Sequence, residues 1–187
     1  MNIFKNHSIV LLIIVGLLSA CGPEAPELEN DEELISTLTL NFRNSTTGEV
    51  TVFKLYDEDG NGPLAPVYTN GILEANQSYV VEVGVLNETI TPAEDIAVEI
   101  EEEGAEHQFF YQISNGLNLE FAYDDTDVNN LPIGLRAVFF TGESSIGTLT
   151  TILKHEPDKT AEGVKDGMVE NAGGETDIQA IFEVTIE

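Results

Sequence analysis

From Ile35 to the end of the chain, apolar side chains recur at every second position, and that period decides the fold class. Leu38, Leu40 and Phe42 alternate with Thr37, Thr39 and Asn41. Tyr79, Val81, Val83 and Val85 alternate with Val80, Glu82 and Gly84, and Leu117, Leu119, Phe121 and Tyr123 with Asn118, Glu120 and Ala122. Ile178, Ala180, Phe182, Val184 and Ile186 alternate with Asp177, Gln179 and Glu183. Successive side chains of a strand point to opposite faces, so this period with one apolar face marks half-buried strands. Further strands are predicted at 49–56, 107–113, 135–140 and 147–154. Short strands separated by turn residues predict a mainly β fold, an antiparallel β-sandwich of about eight strands.

One segment departs from the period. Thr91-Pro92-Ala93-Glu94 reads as a capping box, with Thr91 at the N-cap, Pro92 at the first helical position and Glu94 two further on. Ala93, Ile96, Ala97 and Ile100 then fall at helical spacing, and Gly104 is a stop signal. One short helix is predicted at about 92–103.

The first residues carry an export signal. Lys5 precedes an apolar run from Ile9 to Leu18. A membrane span needs about twenty apolar residues and a signal core only about seven to fifteen, so the run reads as a signal. Leu18-Ser19-Ala20-Cys21-Gly22 resembles the bacterial lipoprotein signal. That resemblance implies cleavage before Cys21, a diacylglycerol thioether on its sulfur and an acylated amine. Two or more acyl chains give stable membrane anchoring. Gly22 to Glu33 is acidic, contains two prolines and reads as a flexible tether. The expected organisation is therefore a signal at 1–20, a tether at 21–33 and a single β-sandwich domain at 34–187.

Cys21 is the sole cysteine, so no disulfide framework is available. The chain carries 34 acidic against 7 basic side chains, a net charge of −27. Such a field repels nucleic acid and attracts cations, divalent ones most strongly.

Two acidic loops are candidate ion sites. Asp57-x-Asp59-x-Asn61-Gly62 matches the first, third, fifth and sixth positions of a calcium loop. Tyr68 stands where such a loop needs a bidentate Glu, and a strand rather than a helix precedes it, so this is no EF-hand. Calcium at Asp57, Asp59 and Asn61 then needs oxygens from another segment. Asp125-x-Asp127-x-Asn129 could supply them or form a site of its own. Asp, Asn and Gly also serve turns for purely conformational reasons, and that reading stays open. The order strand, turn, strand, acidic loop occurs at Leu38–Pro63 and again at Gln108–Pro132, which suggests two related halves of one sandwich.

The two histidines beyond the signal give an alternative metal site. His107 shares parity with Phe109, Tyr111 and Ile113, and His155 with Leu149 and Leu153, so both face or edge the core. If their strands are neighbours, the imidazoles meet and can bind a transition metal with a carboxylate. Hydrogen-bonded structural histidines are the competing reading.

Catalytic signatures are sparse. No Gly-x-Ser-x-Gly occurs, and Gly173-Gly174 is followed by Glu175 and Asp177 rather than by Lys. A carboxylate-based hydrolase needs two placed acids, which 34 carboxylates will mimic by chance. The polar, Gly-rich stretch 156–175 is long enough to be a binding surface or a flexible crossover.

Thr91-Pro-Ala-Glu-Asp-Ile, Glu101-Glu-Glu-Gly-Ala-Glu-His107-Gln-Phe-Phe, Leu153-Lys-His155-Glu-Pro and Ala172-Gly-Gly-Glu-Thr-Asp177-Ile together resemble short acidic lipoproteins of the Bacteroidota type. The resemblance covers most of residues 33–187. Some members are labelled "type 1 periplasmic binding fold superfamily protein". That label implies a two-lobed α/β protein nearly twice this length, whereas the pattern here is almost all β. The family has no established ligand or catalytic residue, so the resemblance brings no site residue with it.

The expected protein is a lipid-anchored lipoprotein of the cell envelope, at the outer membrane, acting as a non-enzymatic binding or structural module stabilised by calcium. Its partners would be the membrane, through the lipid on Cys21, and another envelope protein or a surface glycan. The alternative is a periplasmic solute- or metal-binding protein using His107 and His155.

Overall fold

The alternating pattern is realised as two facing sheets. The computed structural model describes residues 33–60 and 62–187. The signal at 1–20, Cys21, tether residues 22–32 and Asn61 lie outside the described residues. In chain order the elements are β1 (Thr37–Asn44), β2 (Val50–Tyr56), β3 (Val67–Thr69), β4 (Gly71–Leu73), β5 (Ser78–Asn87), β6 (Glu94–Asp95), α1 (Ile96–Glu102), β7 (His107–Ile113), β8 (Leu119–Tyr123), β9 (Arg136–Thr141), β10 (Ser145–His155) and β11 (Glu175–Ile186). All the strands expected from alternation are among them, and β3, β4 and β6 are short additions.

One sheet runs β3-β2-β1-β5-β9-β8, with β6 paired to the end of β5, and the other runs β4-β11-β10-β7. Neighbours are antiparallel except β4, which lies parallel to β11. The chain changes sheets within Val67–Leu73. Asn70 stands at the crossing, where its Oδ1 accepts the Glu183 amide N–H at 3.0 Å.

The inner faces meet through aromatic rings. Phe53 of β2 packs edge-on to Phe182 of β11 at 5.9 Å, and Tyr111 of β7 to Phe139 of β9 at 5.1 Å. Phe42 sits between Phe53 and Phe139, 5.1 Å from each ring. All three phenylalanines are wholly buried. Each such burial is worth roughly 1.5–3 kcal/mol, so this stack holds the two layers together without any cross-link.

The helix forms later than its sequence signal suggests. Glu94 and Asp95 pair with Asn87 and Leu86 of β5, so they are extended rather than helical. Asp95, not Thr91, is the N-cap, its side chain accepting the Ala97 amide N–H. Ile96 and Ile100 are the buried positions of α1, as the helical spacing predicts.

The 156–174 crossover is anchored on the outer face of β7 and β10, with many of its side chains exposed. Phe110 and Ile152 point away from the main core, and Val164 and Ala172 close over them as a second apolar cluster. This is why β7 is buried on both faces along most of its length. Gln108 Nε2 donates to the Val164 carbonyl at 3.0 Å, and Lys159 Nζ donates to Asp127 Oδ2 at 2.9 Å and to the Gly104 carbonyl. The suggested internal repeat is not realised. β1 and β2 are adjacent in one sheet, whereas β7 and β8 lie in opposite sheets. The described residues fall in one compact unit, and among them no helix is long and apolar enough to cross a membrane.

Candidate metal centre

The register between β7 and β10 sets His107 directly opposite His155. Both side chains follow the inward parity of Phe109 and Leu153, so the imidazoles enter the end of the sandwich together. Their rings lie 4.5 Å apart and nearly perpendicular. His107 is wholly buried and His155 is 3% exposed.

Two carboxylates complete the group. Glu33 comes from the segment leading into β1, which is pinned in place by its backbone. Ser36 N–H donates to the Leu86 carbonyl at 3.0 Å, and Asp57 N–H donates to the Ser36 carbonyl at 2.7 Å. Glu33 Oε1 then lies 2.9 Å from His107 Nε2, and Oε2 lies 3.8 Å from His155 Nδ1. Glu33, expected to be the last tether residue, is therefore part of the folded domain.

Asp177 arrives through a β-bulge. Leu153 pairs with Ile178 but Lys154 pairs with Thr176, so Asp177 is the extra residue of β11. Without the bulge Asp177 would stand opposite Lys154, on the outer face. The extra residue turns it inward, the re-aiming that bulges provide beside functional groups. Simple alternation had placed Asp177 on the polar face, and Glu33 lies outside any periodic run, so parity found neither. The local signal for Asp177 would have been the paired glycines just ahead of it.

An outer contact orients His107. Its Nδ1 lies 3.3 Å from the carbonyl oxygen of Glu103, the C-cap residue of α1. Helix-terminal carbonyls lack an intrahelical donor. With Nδ1–H donating there, Nε2 is left facing Glu33, the arrangement typical of a metal-ligating histidine. Burial pushes the His107 pKa down, but the Glu33 carboxylate, the Glu103 carbonyl and Asp177 outweigh it and hold it above the usual histidine value. Burial pushes Glu33 up, but His107 and His155 outweigh that and hold it below the usual carboxylate value. Without a metal the cluster therefore favours an imidazolium at His107 against a carboxylate at Glu33.

That pairing leaves polar groups poorly served. Glu33 Oε1 is close to His107 Nε2 but off the N–H axis, and neither ring nitrogen of His155 has a hydrogen-bond partner among the described residues. Each buried, unsatisfied polar group costs about 1–3 kcal/mol. A metal ion would satisfy both histidines at once. One ligand atom from each of Glu33, His107, His155 and Asp177 lies within 4.8 Å of the others. Tetrahedral zinc has bonds of about 2.0–2.1 Å, which sets its ligand atoms roughly 3.4 Å apart. The four ligand atoms, all within 4.8 Å of one another, would draw together by up to about 1.4 Å to reach that spacing.

The acidic loops are built differently. Asp125 Oδ1 accepts the Gly134 amide N–H at 2.7 Å, and its Oδ2 accepts that of Arg136 at 2.8 Å. Asp127 Oδ1 accepts from the amides of Asn129 and Leu131, and Lys159 balances its charge. Asn129 is exposed. These contacts are those of a hydrogen-bonded turn. In the first loop Asp57 Oδ1 accepts the Asp59 amide N–H at 3.3 Å, and Asp59 Oδ2 accepts that of Leu64 at 3.1 Å. Burial and the adjacent Asp59 raise the Asp57 pKa. An open groove of about 650 Å³ runs past Tyr123, Asp124, Asp125 and Lys165. Each oxygen of Asp125 already accepts a backbone N–H, and Asp124 pairs with Arg136 at 2.8 Å.

No family model matches the chain, and no curated protein or solved structure matches it. The resemblance to acidic lipoproteins stands on the quoted segments alone.

Proposed function

We propose that this chain is a non-enzymatic, lipid-anchored module of the cell envelope that binds a divalent first-row transition metal through Glu33, His107, His155 and Asp177. The observation that carries the reading is the buried His107–His155 pair, its rings 4.5 Å apart, with two carboxylates in reach. Two imidazole nitrogens and two carboxylate oxygens suit zinc and its neighbours, whereas calcium wants six to eight oxygens. Two carboxylates also neutralise a dication, so the bound cluster would bury no net charge. Four protein donors fill a tetrahedral shell, which fits a structural or storage site better than a catalytic one. The anchoring half of the proposal rests on Leu18-Ser19-Ala20-Cys21-Gly22.

Equilibrium dialysis of the full chain against zinc tests the binding. One tightly held ion, lost in His107→Gln and in Glu33→Gln, is the expected result. Stoichiometry unchanged in both variants would remove the assignment. A second reading places calcium at Asp57, Asp59 and Asn61. It is supported by the crowding of Asp57 against Asp59 and by the buried Asp59 Oδ1, which has no hydrogen-bond partner among the described residues. Calcium retention abolished by Asp59→Asn would support it.

A further inference from the structure

Two exposed carboxylates stand at the mouth of the buried cluster. Glu106 immediately precedes β7 and Glu156 immediately follows β10, so they extend the register that pairs His107 with His155. Glu156 N–H donates to the Glu106 carbonyl at 2.6 Å, which ties the two strand ends together. Glu156 is held at φ 48°, a left-handed conformation uncommon for a residue of its kind. Gly174 packs so tightly on this turn that a Cβ there would stand 2.2 Å from the His155 carbonyl oxygen.

A carboxylate oxygen of Glu106, one of Glu156 and a ring nitrogen of His155 lie within 4.8 Å of one another. His155 therefore belongs to both groups. It is 3% exposed, and neither of its ring nitrogens has a hydrogen-bond partner among the described residues. Exposure falls steadily along the path, from the two exposed glutamates through His155 to the wholly buried His107.

We propose that Glu106, Glu156 and His155 form a second, solvent-facing metal site, which captures a divalent transition metal and passes it inward through the shared His155. The inference rests on the buried site proposed above as its destination. A hydrated dication sheds its water reluctantly. Exposed carboxylates can take the ion with part of its hydration shell, and the inner ligands then replace the outer ones one at a time. His155 is the residue common to both groups. The overall charge of −27 draws cations to the whole surface, and the two glutamates localise them at the mouth.

The test is stopped-flow loading of the full-length protein with cobalt(II), followed by the intense visible absorption of tetrahedral cobalt. Glu106→Gln/Glu156→Gln is compared with Glu120→Gln/Glu143→Gln, which removes the same charge from exposed positions elsewhere. The expected result is loading about ten-fold slower in the first pair, with the same final spectrum, and near-normal loading in the second. Equal rates in the first pair and the wild type would overturn the inference, as would equal slowing in both pairs.

His107→Gln separates this inference from the reading it rests on. This variant should keep a weaker cobalt site that the additional Glu106→Gln/Glu156→Gln changes abolish. No residual binding in His107→Gln overturns the outer site. No tetrahedral spectrum in the wild type overturns the buried site and the inward transfer, while the weak binding still reports on the outer site separately.

Discussion

Glu33 Oε1 lies 2.9 Å from His107 Nε2, joining the segment that leads into β1 to the first residue of β7. Glu33 thus links one sheet's leading segment to the other sheet's histidines. This contact sets both the protonation of the cluster in chelator and the metal chemistry proposed for it.

The pair gives the metal-free protein a defined pH profile. His107 is raised above 6.5, so its contribution is complete below that value and is lost as the pH rises through the folded pKa. Glu33 is lowered below 4.5, so its contribution is complete above that value and is lost as the pH falls through the folded pKa. Around the pair, His155 helps lower Glu33, the Glu103 carbonyl and Asp177 help raise His107, and Glu99 is itself raised by burial and neighbouring carboxylates that include Glu33. Urea unfolding in chelator should give greatest stability from this pair between about pH 4.5 and 6.5, falling above it. Metal binding needs a neutral imidazole, so zinc should reverse the slope above pH 6.5. A flat profile from pH 5.5 to 8.5 in chelator, matching that of Glu33→Gln, would contradict the pairing.

The Lys159–Asp127 bond should show an asymmetry between its partners. Asp127→Asn leaves a buried ammonium with only the Gly104 carbonyl, at a cost of about 3–5 kcal/mol. Lys159→Met leaves Asp127 still accepting two backbone N–H groups and should cost less. Burial raises the Asp127 pKa, but the Leu131 and Asn129 amides and Lys159 outweigh it and hold it below 3.8. The Asp127 contribution is therefore present above pH 3.8 and lost as the pH falls through the folded pKa. Chemical denaturation of the two variants at pH 7 and pH 3 measures this. Equal losses at both pH values would contradict it.

Adjacent glycines should respond unequally to alanine. Gly173 and Gly174 have φ of 61° and 63°, so both substitutions carry a left-handed penalty of about 1 kcal/mol. A Cβ at Gly173 meets open space, whereas one at Gly174 would collide with the backbone of His155 and Glu156. Thermal melts should show a modest loss for Gly173→Ala and a much larger one for Gly174→Ala, with weaker metal retention in the latter only.

Most of the framework was legible in the sequence because strand alternation is local. The short strands were not. Val67–Thr69 is exposed at every position and carries no alternation, and β6 exists only because β5 has a free edge beside it. The capping-box signal at Thr91 was outweighed by that same edge pairing. Parity placed His107 and His155 at the core, yet their meeting depended on which strands became neighbours, a long-range property. Asp177 was misplaced because one extra residue reverses a face, and alternation cannot register a bulge. Glu33 is positioned by hydrogen bonds from Ser36 and Asp57, which no periodicity encodes.

A thermal melt of the full chain in zinc, in calcium and in chelator, at constant high salt, tests the central claim most directly. A ligand that binds only the folded state at one hundred times its Kd adds about 2.7 kcal/mol, or roughly 6–10 °C for a domain of this size. The account predicts a rise of that order with zinc, much smaller in His107→Gln and small or absent with calcium. Zinc and chelator melts that coincide in the wild type would contradict it.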